Sequence, residues 1–162
     1  NMLAAYTVGQ YFKVDLKDIV DSLSVFVSGS NRSEVIHYNN CTIVKDAYNA
    51  NPSSMELAVR SFAERFPHGW VVLGDMKELG TSTKEAHTQM IGLVCSIAFE
   101  KIILIGDAEA KSKMGDPDPR IITKPHIEAL KEDWDWTYID NKAILLKGSR
   151  SMHLERLLEK RT

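Results

Sequence analysis

Cysteine is nearly absent: Cys41 and Cys95 are the two thiols of a 162-residue chain. Two are too few for a disulfide framework or a zinc cluster. Each sits in an apolar run, as a small core residue does, and a reducing, cytosolic compartment is the expectation. Long apolar stretches are missing as well. No run approaches the roughly 18 residues of a membrane span, and Asn1 onward does not read as a secretory leader, so none is expected in this stretch. Charge of one sign is not in excess: 20 basic residues face 22 acidic ones, for a net charge of −2. That balance argues against a general nucleic-acid or membrane-surface binder, yet leaves room for a local anion site. The sequence holds neither a Gly-x-x-x-x-Gly-Lys-Ser/Thr phosphate loop nor a Gly-x-Gly-x-x-Gly fingerprint. No Ser-His-Asp or Cys-His set presents itself, so a self-sufficient enzyme is not expected. The first residue is Asn1, and Asn1-Met2-Leu3-Ala4-Ala5 reads as the middle of a helix, so a fragment of a longer protein is expected.

What is present is ordinary globular usage, 44% hydrophobic and 26% charged, at a length suited to about one domain. Residues 2–12 and 15–24 read as short helices, the second capped by Asp15 with Ile19, Val20 and Leu23 as its stripe. Residues 27–31 are turn-rich and read as a linker. Short apolar runs then alternate with helical patterns. Strands are expected at 34–38, 41–45, 70–73, 101–105, 120–123, 136–139 and 143–146, the first two joined as a hairpin by Asn39-Asn40. Helices are expected at 52–65, 82–98, 108–114, 125–132 and 150–160. Asn51 and Pro52 punctuate the 52–65 helix, whose apolar face is Met55, Ala58, Val59, Phe62 and Phe66. Ser82 and Glu85 have the spacing of a capping box. Several strands are apolar on both faces, as in a parallel sheet covered twice. The expected fold is therefore a Rossmann-like, doubly wound α/β sheet, mostly parallel, of about six strands with helices on both faces.

In such sheets ligands gather at the carboxyl ends of the strands. Those ends are rich in polar groups here. Residues 41–45 lead into Asp46-Ala47-Tyr48-Asn49-Ala50-Asn51-Pro52, a carboxylate, a phenol and two amides able to hydrogen-bond a ribose or a peptide backbone. Asn51 suits a helix cap, and Asp46 and Asn49 suit either turn formation or ligand binding. Residues 70–73 lead into Gly74-Asp75-Met76-Lys77-Glu78-Leu79-Gly80, where Asp75 and Glu78 suit an ammonium group or a turn. Residues 101–105 lead into Gly106-Asp107. Residues 143–146 lead into Lys147-Gly148-Ser149-Arg150, two cations at an expected helix start, fit for a carboxylate or phosphate. His87 reads as a core histidine or as a partner of Asp75 and Glu78. His37, His68, His126 and His153 share no metal-ligand spacing. Arg32 reads as a solvated linker arginine able to reach a nucleotide, and Trp134 and Trp136 as packing residues.

Four segments carry a resemblance: Asp46 to Met55, Val72 to Gly80, His87, and Leu146 to Arg150. In order and spacing they resemble the C-terminal domain of the Mur ligases over nearly the whole chain. The Tyr48-Asn49-Ala50-Asn51-Pro52 form favours the branch that joins D-alanyl-D-alanine to UDP-N-acetylmuramoyl-tripeptide, because sibling enzymes tend to carry a His in that loop. The resemblance implies that residues 1–27 are closing helices of the family's central ATPase domain and that 28–162 are the C-terminal domain. It implies ATP and Mg2+ as cofactors, bound mainly by the central domain. The implied partners are the UDP-linked tripeptide and D-alanyl-D-alanine.

By the same resemblance Arg32, Asp46, Tyr48 and Asn49 contact the nucleotide. Asn51, Ser54, Asp75, Glu78, His87, Lys147, Ser149 and Arg150 line the substrate side, with the acceptor carboxylate received by the Lys147–Arg150 loop. No catalytic residue is assigned within this stretch. The sequence departs from the family at Ser30-Asn31-Arg32, where Gly-Arg is more usual, and at Met152-His153, where small residues are. Two other readings remain: a related amide ligase with another acceptor, and a non-catalytic α/β module that binds an anionic ligand.

Overall fold

The computed structural model describes residues 2–26, 32–77, 79–80, 83–106 and 118–159. Two helices come first, α1 (Met2–Tyr11) and α2 (Leu16–Ser24). Asp15 opens α2 as expected, its side chain accepting the Lys17 N–H at 2.8 Å. Ile19 is the buried residue of α2 and lies against Gly9 of α1, where a Cβ would stand 2.8 Å from its Cδ1. Val20, expected on the same stripe, is exposed.

The sheet follows: β1 (Glu34–Tyr38), β2 (Cys41–Asp46), β3 (Trp70–Gly74), β4 (Lys101–Ile105), β5 (Ile121–Lys124) and β6 (Ala143–Lys147). Three helices punctuate it: α3 (Pro52–Arg65) after β2, α4 (Thr83–Ser96) after β3 and α5 (Ile127–Asp133) after β5. The spatial order is β1-β2-β6-β3-β4-β5. β1 pairs antiparallel with β2, and all other pairs are parallel. The hairpin turn takes Asn39 and Asn40 at φ 46° and 57°, the left-handed pair that a two-residue hairpin favours.

Strand side chains alternate between two cores. On one face Val72, Ile103, Ile144 and Leu146 meet Ile127 and Leu130 of α5 and Leu154 and Leu157. On the other, Val71, Ile102 and Leu145 meet Met55, Val59 and Phe62 of α3 and Met90, Ile91 and Val94 of α4. This is the doubly wound arrangement the apolar strands imply.

Two expectations need correction and three fall outside the described residues. Residues 136–139 are no strand: Trp136–Tyr138 is a single 3-10 turn whose start is capped by the Asp135 carboxylate on the Thr137 N–H at 2.9 Å. The expected 150–160 helix is two 3-10 turns, Arg150–Met152 and Leu154–Leu158, broken at His153 with φ 50°. The 27–31 linker, the 108–114 helix and the Ser82 half of the capping box lie outside the described residues. Trp134 and Trp136 do pack as expected, edge to face with each other, Trp134 likewise with Trp70.

Arg120 fastens the far edge. Its guanidinium donates to the carbonyls of Cys95, Ile97 and Phe99 at 2.7, 2.6 and 3.1 Å, closing the end of α4 onto β5. It also pairs with Asp118 and holds that carboxyl at about 2, below its ordinary 3.8, chiefly through the side-chain hydrogen bond. The folded value lies below the unfolded one, so the ionised pair stabilises above pH ~4 and its contribution is lost as pH falls toward 2. Asp118→Asn is therefore expected to lower the urea midpoint at pH 6, with the gap from wild type closing between pH 4 and 2. A gap constant across that range would remove the pair from the acid response.

Candidate functional site

Parallel pairing of β2 with β6 sets Asp46 beside Lys147 at the carboxyl edge. Their charged ends meet at 3.1 Å. Lys147 is 1% exposed, and its ammonium also donates to the backbone carbonyl of Asn49. The other oxygen of Asp46 accepts the Ser33 N–H at 3.3 Å. Ala47 and Ala50 are buried and anchor the loop between, which presents a half-buried Tyr48. The Arg32 guanidinium lies 4.0 Å from the Tyr48 ring centroid and that of Arg150 lies 5.4 Å away. Two exposed guanidiniums on one ring repel each other, and an anionic ligand beside the ring relieves that repulsion. Asn49 turns its own side chain onto the Ala50 N–H at 2.9 Å. Asn51 and Ser54 form a reciprocal capping box at the start of α3, at 2.9 and 3.1 Å.

A second cluster stands at the ends of β3 and β4. Asp75 is 7% exposed. Its carboxylate occupies the space a Cβ on Gly106 would fill, 2.1 to 2.5 Å from that point, and Gly106 has φ 121°. Lys77 Nζ lies 3.7 Å from one Asp75 oxygen and His87 Nε2 lies 3.6 Å from the other. His87 Nε2 accepts the Met76 N–H at 3.1 Å while Nδ1 faces the Thr83 carbonyl at 2.7 Å, which assigns the neutral ring with its proton on Nδ1. Ser149 joins this cluster to β6: its N–H donates to the Asp75 carbonyl at 3.3 Å and its hydroxyl accepts the Lys77 N–H at 3.0 Å. Beneath, Gly148 and Gly74 bring their backbones together, a Gly148 Cβ falling 3.0 Å from the Gly74 Cα. A small apolar cleft of about 20 Å³, with Met55, Met76, Met90 and Leu104 among its walls, opens beside Asp75 and His87.

Residues 31–150 match the Mur ligase family at its glutamate ligase domain. The chain belongs to the Mur ligase family. A UDP-N-acetylmuramoyl-tripeptide–D-alanyl-D-alanine ligase from Buchnera aphidicola is 34% identical to it over 98% of this chain. The chain spans about a third of that relative, 35% of its length. Among solved structures, a MurF from Acinetobacter baumannii superposes with a TM-score of 0.78 at 25% identity, over 97% of this chain and 35% of that one. A MurF ligase from Thermotoga maritima, solved in complex with ADP, gives 0.73 at 25% identity, over 94% of this chain and 35% of that one.

Against this Mur ligase frame the expected site residues divide. Arg32, Asp46, Tyr48, Lys147 and Arg150 come together, and so do Asp75, His87 and Ser149. Glu78 and Asp107 lie outside the described residues. Asn51, Ser54 and the Asn49 side chain are engaged in capping and turning the backbone. The helix start expected to build an anion site after Lys147 is a 3-10 turn of three residues, and the Lys147 ammonium is already held by Asp46 and Asn49. Sequence reasoning did not single out Ser33, which reaches Asp46 through its backbone. Gly106 reads in the sequence as a strand end, and in the structure it is the floor under Asp75.

Proposed function

We propose that this chain is the C-terminal domain of an ATP-dependent ligase that joins D-alanyl-D-alanine to UDP-N-acetylmuramoyl-tripeptide. The observation that carries the reading is the likeness to a ligase so named along 98% of the chain. The neighbour of the same fold solved with ADP supports a nucleotide as a ligand of the longer enzyme. In the proposed reaction the tripeptide carboxylate takes the terminal phosphoryl group of ATP, leaving ADP. The dipeptide amine attacks the acyl carbon, and the tetrahedral intermediate expels phosphate and leaves an amide. Activation splits a hard condensation into two easier steps, and holding the amine in line supplies proximity.

Arg32 and Tyr48 would flank the nucleotide, with Asp46 accepting from ribose hydroxyls. Asp75 would face the acceptor ammonium, and Arg150 stands where either anion passes. Residues 1–27 fit the closing helices of a preceding ATPase domain. In support, Leu3, Tyr11 and Phe12 are exposed and α1 buries no residue. That domain would hold most of the ATP contacts and the magnesium. Among the described residues no three His, Cys, Asp or Glu side chains gather as a metal set. No helix among them is long and apolar enough to cross a membrane. Such a reaction belongs to the cytoplasm, where both nucleotides are found.

The test is phosphate release by the longer enzyme with ATP, magnesium and UDP-linked tripeptide, with and without D-alanyl-D-alanine. Release that needs the dipeptide is expected, and the 162-residue chain alone is expected to release none. Release with a different amine would keep the family and change the acceptor. No release with any amine would leave a binding module in place of a ligase domain.

A further inference from the structure

We infer that Lys147 is a positioning residue of the nucleotide edge, and not the group that receives the acceptor carboxylate. This rests on the ligase reading above. An ammonium that binds an incoming anion must be reachable, and Lys147 is buried to 1%. Its Nζ is spent on two partners from one neighbouring segment, the Asp46 carboxylate at 3.1 Å and the Asn49 carbonyl. With 1% of Lys147 exposed, an acceptor carboxylate finds almost no open surface of it, and it would have to approach beside Asp46, a like charge already in place.

The pair is also set by the backbone. Asp46 and Lys147 are register partners in β2 and β6, so both side chains rise from the same face of adjacent strands. The ammonium thus ties the last strand to the loop that carries Tyr48. Through Asn49 it fixes where that loop leaves the sheet, and through Asp46 it fixes the carboxylate that also holds the Ser33 N–H, one residue from Arg32. Lys147 is thus the counter-ion of Asp46, and through Asp46 and the Asn49 carbonyl it helps to place the segments that carry Arg32 and Tyr48. The exposed cation of the same turn is Arg150, and its guanidinium also faces Tyr48.

Removing one member of a buried pair leaves the other uncompensated, whereas replacing both with neutral groups of similar size is tolerated better. The experiment uses the longer enzyme in three forms: Lys147→Met, Asp46→Asn, and the two together. ADP binding is measured by titration calorimetry, and KM is measured separately for ATP and for D-alanyl-D-alanine. Lys147→Met is expected to weaken ADP binding and raise the KM for ATP by about tenfold or more, with the dipeptide KM within about twofold of wild type. Against the Asp46→Asn background the same change is expected to cost little further, because the partner it positions is gone. Should Lys147→Met fail to fold, the double variant beside Asp46→Asn supplies the comparison. A raised dipeptide KM with unchanged ADP affinity would overturn the inference and return Lys147 to the acceptor. Equal losses for both substrates would overturn it too, in favour of a purely structural pair. ADP binding is read without turnover, so a wild-type enzyme that binds ADP but never uses the dipeptide sinks the ligase reading separately.

Discussion

Gly106→Ala is expected to lower the unfolding free energy by about 2–6 kcal/mol. Two costs add. At φ 121° the backbone sits in a region that L side chains rarely adopt, worth ~1–3 kcal/mol. The new methyl would also stand 2.1 to 2.5 Å from the carboxyl atoms of Asp75, a buried group with Lys77 Nζ 3.7 Å away, and overpacking of that kind costs ~1–3 kcal/mol more. The urea midpoint at unchanged slope measures the sum. Shortening the obstructing side chain, as Asp75→Ala in the same chain, is expected to restore part of the loss by removing the clash and leaving the φ cost. A Gly106→Ala midpoint equal to wild type would mean that the carboxylate is not held over the glycine.

Leu146→Ala is expected to cost about 2–5 kcal/mol, the range for deleting a fully packed aliphatic side chain. Leu146 is 0% exposed and lies in the core beneath α5, while its neighbour Leu145 lies in the core beneath α3 and α4. Both faces of β6 are covered, so Leu145→Ala is expected to cost a similar amount. Leu57 on α3 is 68% exposed, and Leu57→Ala is expected to stay within ~0.5 kcal/mol of wild type. Denaturation curves of the three variants side by side decide the matter. Equal midpoints for Leu57→Ala and Leu146→Ala would contradict a sheet covered on both faces.

Much of this architecture was legible because its signals are local. Asn39-Asn40 marks a hairpin, Asn51-Pro52 marks a helix start, and runs such as Val71-Val72-Leu73 mark strands with no solvent face. Trp136 to Ile139 reads as a strand by composition. It fails because the Asp135 carboxylate caps a tight turn there and β6 follows only a few residues later. His153 breaks the last helical pattern with a left-handed backbone that no neighbouring residue advertises.

The site was legible as a set of strand ends and not as a set of contacts. That Lys147 meets Asp46 depends on which strand lies beside β2, and nothing in either segment says that β6 does. The roles of His87 show the same limit. Its place near the start of α4 is visible in the sequence, but that its second nitrogen takes the Met76 N–H is a property of the folded loop.

The strand order has a temporal meaning as well. Of the six described strands β6 is the last to leave the ribosome, yet it lies between β2 and β3. Asn49 and Lys147, joined in the finished edge, are 98 positions apart in the chain. At a synthesis rate of ~5–20 residues per second, β2 waits ~5–20 s for its parallel neighbour. Until then the nascent chain holds a hairpin and a three-stranded fragment, each with an open edge available to chaperones, proteases or other chains. Insertion of one central strand closes both edges at once, and the binding edge comes into being in that same step.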